Sequence, residues 1–208
     1  MPIVAKTRKI IIGIDEAGRG PLAGPVVSAA VIIKKKIPFV ADSKSLTSAK
    51  REALFDLIIN EAIAFGVGVA SVQEIEKLNI LNATFLSMRR ALNSLFINYR
   101  QKNNKELKNF EILVDGNKKI KGLTFPQRAV VSGDRLIYEI SSASIIAKVV
   151  RDRMMRSFAK RYPGFGFERH KGYATGEHRE KILKLGPSAL HRKSFLRNLL
   201  NDEQKLFR

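Results

Sequence analysis

Residues 9–33 read KIIIGIDEAGRGPLAGPVVSAAVII. A run of isoleucines from Ile10 to Ile14, interrupted only by Gly13, ends on two adjacent carboxylates, Asp15 and Glu16. A glycine-rich segment follows, and a second apolar run occupies Pro25–Ile33. β-branched residues at this density, separated by glycines, predict two strands joined by a turn. Working outward, Ala62–Ala70 reads as a third strand, and Glu111–Val114 and Arg128–Ser132 read as short ones. Thr47 or Ser48 can N-cap a helix running to about Asn60. Ile75–Tyr99 carries Leu78, Leu81, Phe85, Met88, Leu92, Leu95 and Phe96 at helical spacing, which predicts one long amphipathic helix. Ser144–Arg161 is predicted helical, apolar at Ile145, Ile146, Val149 and Phe158 and basic on the other side, until Tyr162-Pro163-Gly164 breaks it. Short helices are expected around Gly176–Leu185 and Ser188–Leu200. Strands interleaved with helices in this order indicate a mixed sheet covered by helices, an α/β or α+β layer fold.

The chain has 208 residues, with 38 lysines and arginines against 19 aspartates and glutamates, a formal net charge of +19. At 45% hydrophobic residues it can bury a core, and its length fits one domain or one domain with an appendage. The absence of cysteine excludes disulfide frameworks, thiolate zinc sites and cysteine nucleophiles, and is compatible with a reducing cytosol. No apolar run approaches the roughly 18–20 residues of a membrane span, and the N-terminus carries no signal-peptide pattern, so a cytoplasmic protein with no membrane partner is expected. His170, His178 and His191 lack close metal-ligand spacing. The charge favours a polyanionic partner, nucleic acid before an anionic membrane, because no basic amphipathic anchor stands out. Residues 148–208 hold 16 basic and 6 acidic residues, a net of +10, so more than half of the excess lies in under a third of the chain. No flexible linker separates this part, and a boundary near residue 165 is expected to be a packed junction. On charge alone, a non-catalytic basic nucleic-acid-binding protein competes with an enzyme.

The densest chemical signal is Gly13–Pro25. An ordinary hairpin with solvated charges is one account of Asp15 and Glu16; a strand end in a crevice is the other, favoured by the buried-type residues before them. A dinucleotide fingerprint fits poorly, because the spacing is too long and a strand follows where a phosphate-cradling helix should begin. Carboxylates beside a phosphate make sense when they hold Mg²⁺ or Mn²⁺, hard cations that take oxygen ligands. Further acids should then converge from other strand ends. Asp115 ends the run EILVD, and Asp134 follows RAVVSG in the same manner, although Asp115-Gly116 also suits a plain turn. In the tail, Tyr173 stands among Arg169, His170 and Lys171, a composition suited to stacking on a sugar or base and equally to a buried tyrosine beside solvated charge. Asp42-Ser43-Lys44-Ser45-Leu46 is either a capped helix entry or a phosphate clamp through Lys44.

Together these segments resemble ribonuclease HII, the type 2 ribonuclease H family. The resemblance is carried by GIDEAGRGPLAGPVV at 13–27, DSKSL at 42–46, VDGN at 114–117, SGDRLIYEISSASIIAKVVRD at 132–152, HKGYATGEH at 170–178 and LGPSALHRKSF at 185–195. It implies a ribonuclease H-like α/β fold, a five-stranded mixed sheet flanked by helices. A catalytic domain would span 1–165, with a basic helical C-terminal region, 166–208, packed on it. It implies endonucleolytic hydrolysis of RNA in RNA–DNA hybrids and on the 5′ side of single ribonucleotides embedded in duplex DNA. The products would be 3′-hydroxyl and 5′-phosphate ends. By motif position the catalytic and metal-ligating acids are Asp15, Glu16, Asp115 and Asp134, holding two divalent ions, Mg²⁺ or Mn²⁺, with substrate bound. Gly18, Arg19 and Gly20 are implied to read the ribose 2′-hydroxyl, Tyr173 to pack on the neighbouring deoxyribose, and Lys44 to contact phosphate. The implied enzyme is a monomer, with a sliding clamp as a candidate partner. Ser45 and Ala174 depart from the lysine and glycine common in the family. The related ribonuclease HIII carries an N-terminal extension, whereas twelve residues precede Gly13 here, which points to HII.

Overall fold

The computed structural model describes residues 9–38, 40 and 46–197. Strand β1 (Ile10–Ala17) pairs antiparallel with β2 (Val26–Ile33), and β2 pairs antiparallel with β3 (Ala62–Ala70). On its other edge β1 runs parallel to β4 (Phe110–Asp115), which runs parallel to β5 (Gln127–Val130). The sheet is therefore five-stranded and mixed, in the order β3-β2-β1-β4-β5. Between strands lie α1 (Ser48–Glu61), α2 (Val72–Leu78) and α3 (Ile80–Asn103), and after them α4 (Gly133–Leu136), α5 (Tyr138–Arg161), α6 (Phe167–His170) and α7 (Gly176–Leu185). Among the described residues no helix is long and apolar enough to cross a membrane.

Alternation along β1 divides the core into two layers. Ile12 and Ile14 point to one face, where they meet Met88, Leu92 and Leu95 of α3. The opposite face, with Ala29 and Val31 of β2, packs on Leu54 and Ile58 of α1 and on Ile145, Ile146 and Val149 of α5. Helix α3 lies so close to β3 that Gly66 and Gly68 leave no space for a side chain: a Cβ on Gly66 would stand 2.2 Å from the Ala91 carbonyl oxygen.

Thr47 caps α1, accepting from the Lys50 N–H at 3.3 Å, where a cap is expected from the sequence. The long helix expected over Ile75–Tyr99 is instead two. Asn79 has φ of 65°, ends α2 and caps α3 by accepting from the Asn82 N–H at 3.1 Å. The apolar period runs through this break, whereas an asparagine tolerates the left-handed region and serves as an N-cap. Helix α5 begins at Tyr138, ahead of the expected Ser144, and its basic residues do not all face water, since Arg151 is fully buried. Residues 188–192 form a turn and an isolated bridge from His191 to Ala23 in place of the expected helix, and helix resumes over residues 193–197. The segment DSKS at 42–45 lies outside the described residues.

The three histidines pack together with Phe165 and Phe167, with His170 stacked on His178 at 4.2 Å between ring centroids. Their hydrogen bonds fix the tautomers. The Ser188 N–H donates to His191 Nδ1 at 2.9 Å, so the His191 proton is on Nε2 and is donated to His178 Nε2 at 3.1 Å. His178 then donates from Nδ1 to the Tyr173 carbonyl at 2.8 Å. This chain of neutral rings has no place for an additional proton. Burial, before any other cause, pushes both His178 and His191 down to about 4.

Two outcomes follow for stability. Gly66→Ala forces β3 and α3 apart and is expected to cost about 1–3 kcal/mol, read from urea denaturation. As pH falls below the ordinary imidazole value near 6.5, the unfolded chain takes up protons that His178 and His191 refuse until about 4. Stability is thus complete above pH 6.5 and is withdrawn between there and pH 4, at up to about 1.4 kcal/mol per pH unit for each histidine. The difference in urea midpoint between pH 7.5 and 5 should shrink in His191→Gln, which keeps a donor toward His178 without titrating; an unchanged difference contradicts the assignment.

Candidate active site

The carboxyl ends of the two central parallel strands lie side by side. Register pairs Ile14 with Val114, so the next residues, Asp15, still paired with Ala29 of β2, and Asp115, the last of β4, are neighbours. Alternation sends Asp15 toward α5, where it is buried and hydrogen-bonded to the Ser144 hydroxyl, and sends Glu16 toward α3. Glu16 shares a small cleft with Arg19, Thr84, Phe85 and Asp115. Asp134 does not end a strand as expected from the sequence. It sits in the first turn of α4, after Ser132 takes a left-handed φ of 55°, and is buried. Its backbone N–H donates to Asp115 Oδ1 at 3.1 Å. The turn thus fastens Asp134 to Asp115 by main chain.

Burial, then the charge of Glu16, then that of Asp115, hold the Asp15 carboxyl well above the usual carboxylate range. Burial likewise raises Glu16, against the pull of Arg19, whose guanidinium is 3.2 Å from Glu16 Oε1. Local compensation for this negative charge is incomplete, because Arg19 is itself half exposed. A donor set made only of carboxylate oxygens, short of positive charge, fits a hard divalent cation. Among the described residues no three acidic or imidazole side chains stand in a ready-made metal cage.

The connection from β1 to β2 is held by main-chain bonds on two sides. Leu22 N–H donates to the Gly172 carbonyl at 2.8 Å, Gly24 N–H to the Leu190 carbonyl at 2.9 Å, and Arg192 N–H to the Leu22 carbonyl at 2.8 Å. Beneath it lie two guanidiniums, Arg151 and Arg192, both fully buried. Arg151 donates to the carbonyls of Pro25 at 3.0 Å, Ala23 at 3.1 Å and Lys171 at 3.1 Å. Arg192 donates to the carbonyls of Gly18 at 2.6 Å, Arg19 at 2.9 Å and Gly24 at 2.7 Å. Burial, and then the Arg151 cation, push the Arg192 pKa down to about 9, which leaves it charged at neutral pH. Gly18, at φ of 100°, has Arg151 Nε 2.1 Å from where a Cβ would be, so glycine there is demanded by packing. Gly20 is different, since a Cβ on it would meet nothing within 4 Å of protein. The space above Gly20 is open.

A cleft of about 320 Å³ lies between this loop and α5, lined by Glu16, Gly18, Arg51, Ser144, Lys148 and Tyr173. Tyr173 is 41% exposed, with Lys148 Nζ 5.6 Å and Arg151 Cζ 5.7 Å from its ring centre. The structure therefore gathers Asp15, Glu16, Asp115, Asp134, Gly18, Arg19, Gly20 and Tyr173 around one end of the sheet, while Lys44 lies outside the described residues. Sequence reasoning missed Ser144, Lys148, Arg151 and Arg192. The one available signal was a basic residue at a core-facing position of α5, at Arg151.

The family model described as Ribonuclease HII matches residues 12–198. The ribonuclease HII of Fusobacterium nucleatum subsp. nucleatum is 50% identical over 201 residues, covering 95% of this chain and 90% of that protein. That of Caldicellulosiruptor bescii is 48% identical, covering 93% and 89%. Among solved structures, the ribonuclease H2 from Pyrococcus horikoshii OT3 superposes with a TM-score of 0.72 at 28% identity, over 94% of this chain and 99% of that one. The Bst-RNase HIII structure in complex with Mn²⁺ shares the fold, with a TM-score of 0.73 at 17% identity, over 95% of this chain and 71% of that one. Five strands in this order, acids at the central strand ends and likeness along nearly the whole chain lead to one assignment. The chain belongs to the ribonuclease HII family, type 2 ribonucleases H that act as endoribonucleases on RNA–DNA hybrids.

Proposed function

We propose that this enzyme hydrolyses the RNA strand of hybrids and cuts on the 5′ side of single ribonucleotides in duplex DNA, with Asp15, Glu16, Asp115 and Asp134 as its metal-binding acids. The observation that carries this is the placement of Asp15 next to Asp115 on adjacent parallel strands, where burial of Asp15 and the charges of Glu16 and Asp115 around it leave a cluster of acids in need of cations. Mg²⁺ or Mn²⁺ held there, as two ions with substrate bound, would supply Lewis acidity and neutralise charge at the scissile phosphate. A basic protein that only binds nucleic acid has no use for buried acids at this position.

The remaining roles belong to the chain's own residues. Arg19 draws Glu16 toward the loop through their ion pair, and the Ser144 hydroxyl orients Asp15. Lys148 and Arg51 line the cleft with positive charge suited to duplex phosphates. The open face above Gly20 admits a ribose, whose 2′-hydroxyl separates RNA from DNA. Tyr173, exposed across the cleft from that loop, packs on the adjoining deoxyribose. The enzyme is read as a cytoplasmic monomer. The Archaeoglobus fulgidus RNase HII has been solved in complex with PCNA, which makes a sliding clamp a partner to test here.

Cleavage of a duplex carrying one ribonucleotide, with an all-DNA duplex as control, tests the function in Mg²⁺ and in Mn²⁺. Asp15→Asn is expected to lower turnover by more than about 100-fold, beyond the 10–100-fold typical of groups that only support a metal ligand. Duplex affinity should stay close to wild type, and normal turnover would remove Asp15 from the site. Tyr173→Ala is expected to lose about 1–3 kcal/mol of stacking, seen as slower cutting at the ribonucleotide with little change in all-DNA binding. Equal losses in both assays would make Tyr173 a packing residue only.

A further inference from the structure

The 18–25 loop is built around an unusual constraint: its two buried supports, Arg151 and Arg192, can only donate hydrogen bonds. Each bond they make obliges a carbonyl to turn inward. In a trans peptide the C=O of one residue and the N–H of the next point in opposite directions, and every described peptide here is trans. Because the Gly18 carbonyl is turned in toward Arg192 Nη2 and the Arg19 carbonyl toward Arg192 Nη1, the N–H groups of Arg19 and Gly20 are turned out. Both residues are exposed, and among the described residues neither N–H is paired with a protein acceptor. Two adjacent amide donors therefore face the open space over Gly20, with two cations behind them.

We infer that Arg192, backed by Arg151, is the positioning residue that presents the Arg19 and Gly20 amides to the ribonucleotide, an inference that rests on the loop reading in the proposed function. Arg192 touches no substrate in this role. It acts through the loop, by occupying the Gly18, Arg19 and Gly24 carbonyls with one planar fork. Arg192 also lies on the segment that bonds Leu22 and Gly24, next to His191, which connects through His178 to the Tyr173 carbonyl. A single stretch of chain thereby sets both the amides and the tyrosine that flank the cleft.

Arg192→Lys tests this, because an ammonium keeps the charge but is a single point on a flexible stem and lacks the planar fork whose Nε, Nη1 and Nη2 fix the three carbonyls. The reading is the ratio of dissociation constants for an all-DNA duplex and the same duplex with one ribonucleotide, measured without divalent metal so that no strand is cut. In Arg192→Lys that ratio should fall by roughly tenfold, the effect expected of a lost charge-assisted hydrogen bond, with all-DNA affinity nearly unchanged. Leu92→Ala, a core variant remote from the loop, controls for stability: it should lower Tm while leaving the ratio at the wild-type value. An unchanged ratio in Arg192→Lys, or an equal fall in Leu92→Ala, overturns the inference. Should Arg192→Lys fail to fold, backbone amide resonances of the wild-type enzyme decide. Those of Arg19 and Gly20 are expected to shift with the ribonucleotide duplex beyond their shift with all-DNA, and the absence of that difference also overturns it. Failure of the wild type to cut either a hybrid or the one-ribonucleotide duplex would instead overturn the functional reading itself.

Discussion

Parallel pairing of β1 with β4 is the constraint on which the rest of the molecule depends. It places Asp15 beside Asp115, where desolvation and then the charges of Glu16 and Asp115 oppose ionisation of Asp15. Such an arrangement is tolerable in a folded protein only when nearby groups limit the penalty or a ligand removes it. Here the nearby groups do part of the work: the Glu16 N–H donates to Asp15 Oδ1 at 2.7 Å, Ser144 adds a hydroxyl and Asp134 gives its N–H to Asp115. Each compensation is a dipole and not a full charge, apart from Arg19. The site remains negative, and that deficit is what a divalent cation would relieve.

The protein's large positive charge is kept from neutralising this deficit by position. Among the cationic side chains near the acids, Arg19 pairs with Glu16, whereas Lys148 pairs with Asp152 at 2.7 Å along α5 and Arg151 and Arg192 spend their donors on carbonyls. A guanidinium moved from the loop to Asp15 would quench the site, since an ion pair between neighbours is far stronger in a dry crevice than at the surface. Using arginine to hold main chain is costly in desolvation, yet it produces a layered field: cations under the loop, amide donors above it, acids at the strand ends beside it. The excess charge counted in the C-terminal part of the chain is therefore not all surface charge, because Arg151 and Arg192 belong to it.

Much of this was legible in the sequence where the signal is local. Strand β3 was read with its observed bounds, and Asp15 and Glu16 stood out because a run of isoleucines stops on two carboxylates. The α2–α3 break was not legible: apolar spacing continues through Asn79, and only the backbone angle at that residue divides the helix. Arg151 was misplaced because helical-face reasoning sends cations to water. Arg192 was invisible for a stronger reason. Its partners are the carbonyls of Gly18, Arg19 and Gly24, between 168 and 174 residues away, and a carbonyl has no side-chain signature. Contacts between a side chain and distant main chain leave no periodic pattern to find. Asp134 was found by its position after an apolar run and misassigned in geometry, since a left-handed Ser132 turns the chain into α4 before the carboxylate is reached.

The C-terminal segment shows why distant main-chain contacts matter for chemistry. Residues 188–192 reach back to the loop through Leu190 and Arg192 and forward to Tyr173 through the His191–His178 pair. The side chains that make this assembly, Arg192, His191 and His178, are buried and have defined donors and acceptors, which leaves it little freedom to adjust. Loops that carry substrate contacts are ordinarily the mobile part of an enzyme. Here the loop is clamped from beneath and from both sides, and the glycine that faces the open cleft, Gly20, needs no packing partner because its neighbours are already fixed. Rigidity at this place has a chemical consequence. Discrimination by one hydroxyl depends on donors held ready for it, since an amide free to rotate would recover its hydrogen bond from water when the hydroxyl is missing.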